Sequence, residues 1–90
     1  MTDLDNRDEL EADYGPPAPY AEHQIGERVI YQQQGRQFTG TIVYVAAPQV
    51  IAGKLVPTTY VIVRDHYEGI PDEVFPGDIL QQGGPGVPRL

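Results

Sequence analysis

The sequence predicts an all-β fold, five short strands curled into one small barrel, and three observations lead to it. Ten glycines and nine prolines among 90 residues interrupt any long helical pattern, because glycine weakens a helix interior and proline removes a backbone donor. The apolar residues come in short runs separated by turn chemistry, which is the spacing of strands and not of a 3.6-residue helical repeat. Cysteine is absent, so neither disulfides nor thiolate-bound metal staple the fold, and an apolar core must hold it. Five short strands are too few for two full sheets, whereas a barrel covers most of their open edges.

The domain is expected over residues 25–82. Glu27-Arg28-Val29-Ile30-Tyr31-Gln32, opened by Gly26, is the first strand. The polar link Gln32-Gln33-Gln34-Gly35-Arg36 suits an antiparallel connection. Phe38-Thr39-Gly40-Thr41-Ile42-Val43-Tyr44-Val45 is the second strand, rich in β-branched and aromatic residues, with Gly40 marking a sharp bend or the close approach of another backbone. Residues 46–57, punctuated by Pro48, Gly53 and Pro57, read as a long loop. Thr58-Thr59-Tyr60-Val61-Ile62-Val63-Arg64 is apolar on both faces and therefore central in its sheet. After the turn Asp65-His66-Tyr67-Glu68-Gly69 comes a short strand, Glu73-Val74-Phe75, then a 3₁₀ turn from Pro76 and a last strand near Leu80 to Gln82.

The flanks have a different composition. Residues 1–24 hold seven carboxylates against the single Arg7, a local charge of −6 out of a total of −7. With few large apolar residues that segment is expected to be a disordered acidic arm, with at most a transient helical turn near Asp8 to Asp13. Pro16-Pro17-Ala18-Pro19 is a stiff polyproline spacer that also has the PxxP spacing of a groove ligand, able to dock on its own barrel or a neighbour's. Residues 83–90, rich in Gly and Pro, are expected to be a flexible tail. No stretch reaches the roughly 20 apolar residues of a membrane span, and the acidic start lacks the pattern of an export signal. A cytoplasmic protein with no membrane contact is the expectation.

Catalytic chemistry finds little support. There is no Cys and no Ser, so a covalent hydrolase has no ordinary nucleophile. Asp72 and Glu73 are adjacent on a strand and point to opposite faces, so they do not share an acid–base site. The Asp65-His66-Tyr67-Glu68 cluster lacks a second ligand run, and it is read as a solvated turn. No catalytic residue, metal ligand or cofactor is assigned. Arg28, Arg36, Lys54 and Arg64 are diluted by neighbouring carboxylates, which makes nucleic acid an unlikely partner and a weak nucleic-acid-binding barrel only an alternative. Aromatic residues carry the binding expectation: Phe38, Tyr44 and Phe75 are assigned to the core or to cross-strand pairs, Tyr31 and Tyr67 to an exposed recognition surface.

Gly26-Glu27-Arg28-Val29, Gly40-Thr41-Ile42-Val43, Tyr60-Val61-Ile62-Val63 and Val74-Phe75-Pro76-Gly77-Asp78-Ile79 together resemble the SH3-like small barrels of bacteria. The resemblance covers about two thirds of the chain and implies a fold, since such barrels host binding modules, ribosomal and chaperone-associated domains and a few enzymes. One of those enzymes, the plasmid-borne type II dihydrofolate reductase, is similar in strand spacing. That family is a tetramer whose pore binds NADPH and dihydrofolate through a Val-Gln-Ile-Tyr stretch on the fourth strand, with a lysine near the end of the first. Asp72-Glu73-Val74-Phe75 stands at that stretch here, and Tyr31 or Gln32 at the lysine. The expected function is a non-catalytic binding or accessory module that contacts a protein partner, or a second copy of itself, through Tyr31, Tyr67, Arg36, Lys54 and the loop 46–57. An oligomeric reductase is the alternative.

Overall fold

The computed structural model describes residues 3–82, with side chains over residues 9–80. Its elements are a helix α1 (Asp3–Tyr14), strands β1 (Arg28–Gln33), β2 (Arg36–Ala46), β3 (Gln49–Ile51), β4 (Lys54–Val56), β5 (Thr59–Arg64) and β6 (Asp72–Val74), a 3₁₀ turn (Pro76–Asp78) and β7 (Ile79–Gln82). Five strands form an antiparallel sheet in the order β6-β5-β2-β1-β7, and β3 and β4 pair separately as a hairpin. The tail expected over residues 83–90 lies outside the described residues.

Local chemistry accounts for the strand boundaries. β1 and β2 join through Gln34 and Gly35, both at positive φ (52° and 80°), in register from Gln33↔Arg36 to Arg28↔Thr41. Two left-handed residues in succession match the right-handed twist of the strands they connect. Asp78 N–H donates to Phe75 O at 2.9 Å, closing the 3₁₀ turn that Pro76 opens. The fourth sheet strand is therefore Asp72–Val74, one residue earlier than expected, and Phe75 has left the ladder and is exposed. Its assignment to the core is corrected by that turn.

A bulge in β2 sets which side chains face inward. The pairs Ile42↔Ile62 and Tyr44↔Val61 skip Val43, so Ile42 and Val45 point to one face while Tyr44 and Ala46 point to the other. The inner core is Val29, Tyr31, Ile42, Val45, Tyr60, Ile62 and Val74. Gly40 is required beside it: a Cβ there would stand 2.5 Å from Val63 O and 2.6 Å from Ile62 Cγ2, the close backbone approach expected of a glycine in a strand.

The sheet curls until β1 reaches β6. Tyr31 Oη donates to Asp72 Oδ2 at 2.5 Å, and Gln33 Nε2 donates to Glu73 O at 2.9 Å, although β2 and β5 separate these strands in the ladder. Among the described residues no backbone ladder joins β6 to β7, so side chains bridge the gap and the five strands form an open, curled sheet where a closed barrel was expected.

The N-terminal segment contacts the outer face of the sheet. α1 lays Leu10 and Tyr14 on the outer-face cluster of Tyr44, Ala46 and Val61. Gly15, at φ 101°, ends the helix; its N–H donates to Glu11 O at 2.8 Å in the left-handed geometry that glycine favours. Tyr44 Oη then donates to Gly15 O at 2.6 Å, and Gln49 Nε2 to Tyr14 O at 2.7 Å. A short helix is marginal by itself; the apolar outer face of β2 and β5 and these two side chains supply what composition lacks. The polyproline segment docks on its own sheet: Ala47 N–H donates to Pro16 O and Ala18 N–H to Val45 O, both at 2.9 Å, with a bridge between Pro17 and Ala46.

Candidate functional site

Tyr31 is 0% exposed, so its expected role on a recognition surface is corrected. At the inner face of β1 its ring packs against Phe38, with centroids 5.9 Å apart, and its hydroxyl reaches Asp72. Burial first, and then the neighbouring carboxylate, pushes the Tyr31 phenol well above its ordinary value. Asp72 also accepts from Arg64 Nε and Nη2, each at 3.2 Å. The Arg64 guanidinium lies 4.0 Å from the Phe38 ring centre and 4.5 Å from that of Tyr67. The cation thus lies against two aromatic rings. Tyr67 keeps an exposed edge but is held on Arg64.

The four expected binding residues are not brought together. Arg36 opens β2 at the tip of the β1–β2 turn, and Lys54 belongs to the β3–β4 hairpin that follows the far end of β2. The 11 residues of β2 lie between those ends, which at the usual rise per residue is about 30 Å. Nor, among the described residues, do the cations form a common basic face. Arg28 makes a bidentate pair with Asp65 at 3.1 and 2.6 Å, and that pair holds the Asp65 carboxyl below its ordinary value. Arg64 is taken by Asp72. Asp65, from the turn expected to be solvated, and Asp72 are thus both engaged by arginines.

Two other features stand out on the surface. The first lies within the segment read as a long loop: Val50 pairs with Leu55 and Ile51 with Lys54 across a turn at Ala52 and Gly53, with φ of 53° and 81°. Val50 is 69% exposed, Leu55 74% and Ile51 52%. Because cross-strand partners share a face and neighbours alternate, the hairpin offers Val50 and Leu55 on one side and Ile51 beside Lys54 on the other. The sequence signal was present in the apolar residues flanking Ala52-Gly53, but alanine is a poor marker for a turn that usually takes Asn or Asp.

The second feature is the chain between Ala18 and Gly26. Ala18 N–H donates to Val45 O at 2.9 Å and Gly26 N–H to Ile42 O at 2.7 Å. The intervening residues leave the sheet and return as a compact loop. Ala18 and Ala21 pack on the inner core, and the His23 ring stands edge-on to Tyr60, centroids 5.5 Å apart. His23 Nδ1 pairs with Glu27 Oε2 at 2.8 Å, and Gln24 N–H donates to Glu27 Oε1 at 2.9 Å. The loop and Val45 enclose a cleft of about 310 Å³. Tyr20 (88% exposed) and Ile25 (58%) are among its lining residues. In the sequence only the PxxP spacing of Pro16-Pro17-Ala18-Pro19 points to contacts of this segment.

No described helix is long and apolar enough to cross a membrane. Comparison of the chain with protein-family models, with curated proteins and with solved structures finds no match.

Proposed function

We propose that this chain is a non-catalytic binding module of the SH3-like small-barrel type and that it contacts a protein partner through the β3–β4 hairpin. The fold part of this reading is supported by the strand order β6-β5-β2-β1-β7 and by the 3₁₀ turn before the last strand. The function rests on one observation: a two-stranded hairpin carries Val50, Ile51 and Leu55 in solvent on both of its faces. A hairpin of two short strands is marginal without something to pack against. Covering those three side chains is worth about 4 kcal/mol before association costs. A cytoplasmic setting suits a chain without cysteine.

The reductase alternative draws less from the same residues. Asp72 is engaged by Tyr31 and Arg64, Val74 is buried, and Phe75 has no hydroxyl. The nucleic-acid alternative loses Arg28 and Arg64 to their carboxylates.

A photo-crosslinking residue placed at Val50 in the full chain, with one at exposed Ile70 as control, tests the proposal. The expected result is a single protein crosslinked from Val50 alone and lost when Leu55→Asp is added, with the melting temperature unchanged. Retention of that partner by a folded Leu55→Asp variant defeats the hairpin reading. NADPH-dependent turnover of dihydrofolate defeats the non-catalytic one.

A further inference from the structure

We propose a second recognition site, independent of the hairpin: the cleft formed by the loop between Ala18 and Gly26 receives an extended peptide that presents an apolar side chain next to a lysine or arginine.

Shape, preorganisation and charge lead to that ligand. The cleft of about 310 Å³ is walled on its apolar part by Pro17, Tyr20, Ile25 and Val45 and on its polar part by His23 and Gln24, near the lower end of ligand-binding cavities, at about 300 Å³. That is room for one apolar side chain and its backbone, and too little for a large cofactor. Tyr20 and Ile25 put apolar surface into solvent there, the placement of an anchor that gains by being covered. The loop is already held in shape. Its two ends are bonded to β2, Glu27 ties together His23 and Gln24 N–H, and Ala18 and Ala21 are seated on the core. Little ordering cost is therefore left for the moment of binding.

Charge selects among apolar ligands. The loop carries Glu22, and Glu27 follows at its end, with no lysine or arginine between Ala18 and Glu27. Glu22 is exposed between Ala21 and His23, two residues of the cleft. A cationic peptide is drawn to this surface, while a phosphate-bearing ligand or an acidic peptide is repelled from it.

The test uses the full chain and a short fluorescein-labelled peptide of Leu, Pro and Arg, with two controls in which Glu replaces Arg or Ser replaces Leu. Fluorescence anisotropy gives the affinity, and amide shift mapping gives the location. The expected result is binding that perturbs residues 17–25 and Val45, weakens as salt is raised, and drops about tenfold or more for each control peptide. Tyr20→Ala and Ile25→Ser, both at exposed side chains, weaken it about tenfold with unchanged melting. Leu55→Asp leaves it untouched, which separates this site from the hairpin. Four outcomes overturn the proposal: no peptide binds; the Glu peptide binds as well as the Arg peptide; the shifts fall at Val50–Leu55; or sedimentation shows a dimer that Tyr20→Ala dissolves, which assigns the cleft to a second copy.

Discussion

Tyr31→Phe separates a structural tyrosine from a recognition tyrosine. The substitution keeps the ring on Phe38 and removes only the hydroxyl that donates to Asp72 Oδ2 at 2.5 Å. The lost bond runs between a fully buried phenol and a carboxylate whose side chain is 12% exposed. A hydrogen bond to a charged partner contributes about 1.5–3 kcal/mol. Asp72 keeps both contacts to Arg64, so the carboxylate is not orphaned and the lower part of that range applies, about 2 kcal/mol. For a domain of this size that is a fall in Tm of roughly 8–16 °C. The phenol adds a pH signature. Its ionisation is held above the ordinary 10.0 in the folded state, by burial first and by Asp72 second. A group raised in this way lends stability that is complete below the unfolded value and lost as pH climbs toward the folded one. The Tm gap between wild type and variant is therefore full at neutral pH and narrows above pH 10. Circular-dichroism melts across that range measure it. A variant that melts within about 2 °C of wild type refutes the argument, and loss of partner binding at unchanged Tm returns Tyr31 to the recognition surface.

Three further expectations follow from single contacts. Gly40→Ala sets a methyl group 2.5 Å from Val63 O, and because a backbone oxygen in a ladder cannot step aside, the cost is about 2–3 kcal/mol in urea unfolding; a neutral result contradicts so close an approach of β2 and β5. Arg28→Met removes the partner that depresses the Asp65 carboxyl. The pair is screened by solvent and its contribution is small; that contribution is present above the unfolded value near 3.8 and fades as pH falls through the depressed one, so wild type and variant converge in acid. Ala52→Asn puts a residue tolerant of left-handed backbone where φ is 53°, and amide exchange at Ile51 and Lys54 slows about threefold; faster exchange there means that the turn is not of the two-residue left-handed kind.

The legible part of this protein was the part governed by neighbours in the chain. Gln34-Gly35 announced a tight turn, Gly40 a crowded backbone, Tyr60-Val61-Ile62 a strand covered on both faces until Val63 emerges into solvent, and Pro76-Gly77-Asp78 a 3₁₀ turn. The site was less legible. Arg36, Lys54 and Tyr67 are exposed at least in part, yet β2 keeps Lys54 far from Arg36, and Arg64 claims one face of Tyr67. The hairpin hid behind Ala52, a residue that does not advertise positive φ.

The sequence alone determined the strand-rich composition, the turns, and the concentration of acidic residues ahead of Gly26, because backbone preference and charge are properties of single residues and their neighbours. Only the tertiary structure decided that Tyr31 points inward, since the sheet must curl before Asp72 can meet it. It also decided that the acidic segment forms α1, because Leu10 and Tyr14 find an apolar surface in Tyr44 and Val61, residues more than 25 positions away. Burial is a property of surfaces that meet, and which surfaces meet is not written in any one segment.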